Sequence, residues 1–130
     1  MRNIKYLVCH CTATSQDARV EVIVNNWKKL GWKNVGYHYL IDKTGFVNVL
    51  ADHEKITNGV KGFNSVSIHI SYIGGKDKDD RTNAQKIAIE SVLRNLRLLY
   101  PSAIIQGHRD FPNVAKSCPR FDAKVEYKDL

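Results

Sequence analysis

The hydrophobic positions fall into short apolar runs and longer helical stripes that take turns along the chain. Ile4 to Cys11 is an apolar run rich in β-formers that stops at the turn-prone Thr12, Ala13, Thr14 and Ser15, which predicts a buried strand. From Asp17 to Leu30 the apolar positions Val20, Ile23, Val24, Trp27 and Leu30 recur at helical spacing, with Lys28 and Lys29 near the end and Gly31 as a stop. Tyr37 to Ile41 and Phe46 to Leu50 read as two strands joined by Asp42, Lys43, Thr44 and Gly45, an antiparallel hairpin. Residues 51 to 66 have little periodicity and predict a surface loop, and Val66 to Ile73 alternates as a strand up to Gly74 and Gly75. After a charged linker, Lys76 to Arg81, Thr82 and Gln85 form a capping box. Ile89, Val92, Leu93, Leu96, Leu99 and Tyr100 then make a wide apolar stripe up to Pro101. Ala103 to Gln106 predicts a last short strand, and everything after Gly107 reads as turn-like and polar. The alternation of types predicts an α/β fold: a single domain over residues 1–130, with a central mixed β-sheet flanked by helices at about 17 to 30 and 82 to 100.

Composition narrows the class. A chain of 130 residues, 43% hydrophobic and 25% charged, suits one globular domain and excludes a disordered or collagen-like one. No apolar run approaches the ~18 residues of a membrane span, so no membrane partner is expected. Met1 leads almost directly into strand-like sequence, so no secretory signal is expected either. The formal charge of +7 favours a polyanionic partner such as nucleic acid, an anionic membrane face or an acidic wall polymer. The bases are scattered rather than clustered, which speaks against a nucleic-acid footprint. Cys9, Cys11 and Cys118 are odd in number, and the first two stand too close for an ordinary disulfide, so all three are expected to be thiols or metal ligands.

His10, His108 and Cys118 stand out as metal-ligand types at the ends of expected strands. Zinc accepts imidazole nitrogen and thiolate sulfur, and three protein ligands with a free fourth position suit a catalytic rather than a structural ion. On residue types alone, three unrelated core or loop residues remain the weightier reading. The order of motifs alters that balance. The run Val8 to Thr14, the helix ending at Trp27 and Trp32, and Val35 to Tyr39 resemble the opening half of the zinc-dependent N-acetylmuramoyl-L-alanine amidases. Lys61 to Asn64, Ser67 with Ile68, Ile73 to Gly75, Gly107 to Asp110 and Ala115 to Pro119, with Phe121 and Asp122, follow in the same order over nearly the whole chain. The likeness is nearest to the short phage lysozyme-type amidases and more distant to the peptidoglycan recognition proteins.

That resemblance implies a Zn2+ cofactor held by His10, His108 and Cys118, and hydrolysis of the amide between N-acetylmuramic acid and L-alanine in peptidoglycan. It places Tyr37 where the family keeps a catalytic tyrosine and Lys116 where it keeps a lysine that stabilises the oxyanion. Asn64 and His69 are candidate substrate contacts. Residues 57 to 60 hold no histidine where many relatives carry one before the pair that matches Lys61 and Gly62. His69 occupies a strand position often held by glycine, and either fills space near the cleft or contacts substrate. Alternation turns His38 to the face opposite Tyr37, as a histidine that either supports the site from behind or is structural, His53 has no partner pattern, and Cys9 and Cys11 point away from His10 as buried apolar thiols. A monomer made in the cytoplasm and acting at the bacterial wall after release by a separate route is expected, with a muramyl peptide as partner. The rival is a noncatalytic peptidoglycan-binding module, which could dispense with the third ligand that Cys118 supplies.

Overall fold

The computed structural model describes residues 2–130. In chain order its elements are β1 (Tyr6–Cys11), α1 (Val20–Lys29), β2 (Tyr39–Ile41), β3 (Val47–Val49), β4 (Ser67–Tyr72), α2 (Asn83–Leu99), β5 (Ile104–Gly107) and α3 (Ala123–Glu126), with single 3-10 turns at Asn64–Val66 and His108–Asp110. The strands form one mixed sheet in the order β3-β2-β4-β1-β5. All neighbours run parallel except β3, which pairs antiparallel with β2 as the hairpin residues predict. Asp42 Oδ1 shapes that hairpin by accepting from the Thr44 and Phe46 amides.

Period-two alternation decides what each face carries. Leu7, Cys9 and Cys11 of β1 lie beside Ile68, Ile70 and Tyr72 of β4, and this face packs against Ile89, Leu93 and Leu96 of α2. Full burial of each such aliphatic side chain contributes roughly 1.5–3 kcal/mol. The opposite face sets Val8 beside His69 and His10 beside Ser71. Helix α1 covers part of it, with Ile23 and Trp27 packed on Leu40 and Ile73. Val60, Phe63 and Phe111 close the rest over Tyr6 and Val8.

The expected helices form with adjusted ends. α1 starts at Val20 rather than Asp17, because Ser15 holds residues 15 to 18 in a turn: its Oγ accepts from the Asp17 amide and its carbonyl from the Ala18 amide. Its C-terminus is a Schellman stop, with Gly31 N–H on Lys28 O and Trp32 N–H on Trp27 O, and Gly31 takes the left-handed φ of +82° that this motif requires. Thr82 and Gln85 make the reciprocal cap of α2, and the buried Gln85 amide also donates to the carbonyls of Ile41 and Ile73, tying helix to sheet.

Two expectations are corrected. Strand β2 begins at Tyr39, so Tyr37 and His38 precede it. The segment after Gly107 is not merely turn-like: Asp122 caps α3, which brings Phe121, Ala123 and Tyr127 into the core. Within the charged linker, Arg81 turns inward. The Arg81 side chain is 2% exposed, pairs with Asp79 and Glu126, and lies 3.4 Å over the Phe121 ring.

His38 takes the structural of its two expected roles, but by an unexpected route. Its Nδ1 accepts from the His69 amide and its Nε2–H donates to Lys55 O, so the side chain prolongs the sheet ladder where β2 has not yet begun. Burial pulls its pKa from 6.5 down to about 4, which outweighs the bond to Lys55. As pH falls below 6.5 the unfolded chain binds this proton first, so stability is lost from 6.5 down to about 4. His38 alone is expected to cost about 2 kcal/mol between pH 7.5 and 5. Buried His10 and His69, also held well below their ordinary value, act in the same direction. Urea titrations in chelator at pH 7.5 and 5 check this, and an unchanged midpoint would contradict it.

Candidate active site

Parallel strands β1, β4 and β5 open their carboxyl ends on one edge, where crossover folds commonly place their sites. His10 is the penultimate residue of β1, and His108 directly follows β5. Cys118 reaches them from the loop beyond, held by Arg109 N–H on Cys118 O at 2.9 Å and by the Tyr72 hydroxyl on Pro119 O at 2.7 Å. One ligand atom from each of His10, His108 and Cys118 lies within 4.8 Å of the others. The structure therefore assembles residues separated by about a hundred positions, and the donor set of two imidazoles and a thiol fits zinc.

Electrostatics keeps these imidazoles available as ligands. Burial, then His69, His108 and Lys116, hold His10 well below its ordinary pKa. Burial and then Lys116 lower His108 to about 4. Both are neutral at pH 7, the form that offers a lone pair. Cys118 Sγ accepts from the Cys11 amide at 3.1 Å and lies 3.9 Å from His10 Nδ1. The neighbouring Cys11 thiol, and then burial, raise the Cys118 pKa, and Cys118 in turn lowers that of Cys11 to about 7. A bound cation beside Cys118 would reverse that order. Cys9 behaves as expected: it is buried, and burial pushes its thiol up to about 12. Cys11 is buried on the same face, and at the end of its strand its amide also donates to Cys118 Sγ.

A cleft of about 180 Å3 opens over these groups, lined in part by Trp32, Tyr37, Asn58, His108, Lys116 and Cys118. Tyr37 sits between Trp27 and His10, with ring centroids 5.4 and 4.9 Å away, and its hydroxyl donates to Cys11 O at 3.3 Å. Burial, and then Cys118, push its pKa up, so it stays a phenol that can donate but not act as a base. Lys116 is exposed at the rim. The stacked Trp27 and Trp32 wall the cleft, an arrangement that follows from the glycine stop of α1 although the chain pattern attached no role to Trp32.

The expectation of substrate contact at His69 is corrected. His69 is fully buried behind His10, its Nδ1 2.8 Å from His10 Nε2. Asn64 turns its side-chain oxygen inward to the Val60 amide and to His69 Nε2, so that oxygen is not presented to the cleft. His53 has partners after all, wedged between the hydroxyls of Tyr39 and Tyr100.

Residues 1–121 match the N-acetylmuramoyl-L-alanine amidase family. An endolysin of Enterobacteria phage K11 is 38% identical over 120 residues, covering 87% of this chain and 78% of that protein. Among solved structures, the Ph2119 endolysin from the Thermus scotoductus MAT2119 bacteriophage superposes with a TM-score of 0.79 at 29% identity, over 92% of this chain and 79% of its own. The N-acetylmuramoyl-L-alanine amidase LysC from Clostridium intestinale URNW superposes with a TM-score of 0.84 over 96% of this chain and 82% of its own; at 22% identity it speaks to the fold alone.

Proposed function

We propose, from the premise that this chain belongs to the N-acetylmuramoyl-L-alanine amidase family, that it works through a zinc ion held by His10, His108 and Cys118. The reaction is hydrolysis of the amide between the lactyl group of N-acetylmuramic acid and L-alanine in peptidoglycan: water adds to the carbonyl, the C–N bond breaks, and the amine leaves with a proton. The convergence of the three donor atoms, each within 4.8 Å of the others, with His108 and Cys118 on the cleft wall and His10 buried beside them, is the observation that supports the zinc assignment. When bound, zinc supplies a Lewis acid that acidifies water and polarises the amide carbonyl.

The chain's own groups divide the remaining work. The Lys116 ammonium at the rim stabilises the negative charge that grows on the carbonyl oxygen. Tyr37, kept protonated, offers a hydroxyl to orient water or the tetrahedral carbon's oxygens. Trp32 offers an exposed aromatic edge to a muramyl peptide, the expected partner. Among the described residues no helix is long and apolar enough to cross a membrane. We place its action at the wall after release by a separate route. We place synthesis in the cytoplasm and activity in the monomer.

Mass spectrometry of digested peptidoglycan tests the assignment. Stem peptides with a free L-alanine amine, alongside glycan strands that keep their lactyl acid, are the expected products. New reducing sugar ends in place of free amines would overturn it.

A further inference from the structure

A line of hydrogen bonds runs behind His10, on the side away from the cleft. The Val60 amide donates to Asn64 Oδ1 at 2.8 Å, that same oxygen lies 2.9 Å from His69 Nε2, and His69 Nδ1 lies 2.8 Å from His10 Nε2. The far end sets the direction of the whole line. A backbone amide can only donate, so the side-chain atom it meets at Asn64 is the oxygen. An oxygen at that place requires the proton of His69 to sit on Nε2. The neutral ring then has a bare lone pair at Nδ1, and only a proton on Nε2 of His10 can satisfy it. His10 is left with its own lone pair on Nδ1, the atom that faces Cys118 Sγ at 3.9 Å.

We propose that His69, oriented by Asn64, is a positioning residue that holds His10 in the Nε2–H tautomer and thereby aims the His10 Nδ1 lone pair at the cation site. What that lone pair binds rests on the zinc assignment above, whereas the tautomer does not. Orienting partners of this kind fix ring and tautomer of a ligating histidine, and their loss commonly costs 10–100-fold in metal affinity. Space for the ring comes from Gly59, where a Cβ would lie 2.3 Å from His69 Nδ1 and 2.4 Å from its Cγ. The histidine in the strand and the bare backbone in the facing loop are thus one feature. Any side chain at 59 would displace the ring that directs His10.

Long-range 1H–15N correlation spectra of the full chain in chelator read the tautomer directly, and zinc titration reads its consequence. In the wild-type chain His10 is expected to carry its proton on Nε2. His69→Leu, close in volume but without an acceptor, is expected to mix the two His10 tautomers and weaken zinc by about 10–100-fold. His69→Asn places an oxygen near the lost Nδ1 and is expected to restore the tautomer and much of the affinity. Should His69→Leu fail to fold, Asn64→Ala at a half-buried position carries the same test through loss of the directing oxygen. A wild-type His10 protonated on Nδ1, or a soluble His69→Leu with unchanged tautomer and affinity, would overturn the proposal. A merely space-filling His69 would show equal losses in the Leu and Asn variants with no change of tautomer, which also overturns it. Wild-type protein in the Nε2–H tautomer that takes up no zinc would instead sink the zinc assignment.

Discussion

Removing the metal is expected to lower amidase activity by at least about 10³-fold, because Lewis-acid stabilisation of developing charge is worth several kcal/mol and each ~1.4 kcal/mol is a factor of ten. About one zinc per chain should be measured by elemental analysis, and activity should return when zinc is restored. Cys118→Ser should lose most of the metal at the same protein concentration, since a neutral hydroxyl replaces a thiolate among the three converging donors. Cys9→Ala is the control: Cys9 faces α2 on the opposite side of the sheet, so its zinc content should match wild type. Cys11 is unsuited to that use, because its backbone amide donates to Cys118 Sγ and the two residues are in contact. Full activity of chain shown to be metal-free would end the zinc assignment, and retention of zinc by Cys118→Ser would remove that residue from the ligand set.

Lys116→Ala is expected to lower kcat and kcat/KM together by about 10²- to 10³-fold while zinc stays bound, the usual cost of losing one oxyanion donor. The argument is positional. Lys116 shares the cleft wall with His108 and Cys118, and its charge is felt at both His10 and His108, so it can meet an oxygen that becomes anionic there. A chain of +7 could instead use this lysine only to attract the anionic wall. In that case the substitution would raise KM, leave kcat nearly unchanged, and lose its effect at high salt. Steady-state kinetics on a soluble muramyl peptide at two ionic strengths separate the outcomes, and a pure KM effect would remove Lys116 from the catalytic groups.

Local periodicity and caps proved legible where the forces are local. The alternation in Ile4 to Cys11 separates His10 from Cys9 and Cys11, and the structure keeps that separation of faces. The Thr82 and Gln85 pair marks the start of α2 because both bonds close within four residues. Segments with weaker local preference were misread. α3 is only four residues long and depends on packing of Phe121, Ala123 and Tyr127, while Arg81 looks like any linker base until Asp79, Glu126 and Phe121 surround it.

The division between the two levels follows from range. Sequence alone determined the α/β class, the face on which His10 lies, and, through the order of its motifs, the residues that meet in the cleft. The first two rest on spacing along the chain, which a period of two or 3.6 residues exposes without knowledge of partners, whereas the last rests on the resemblance of the ordered motifs to a known family. Only the tertiary structure decided that Cys11 touches Cys118 and that His69 is buried behind His10 rather than open to substrate. It also decided which nitrogen of His10 is free, because that proton is placed by Asn64 and, through it, by the Val60 amide, fifty residues away in the chain. A proton's place on an imidazole depends on the groups across from it, and residue spacing carries no record of which groups those will be.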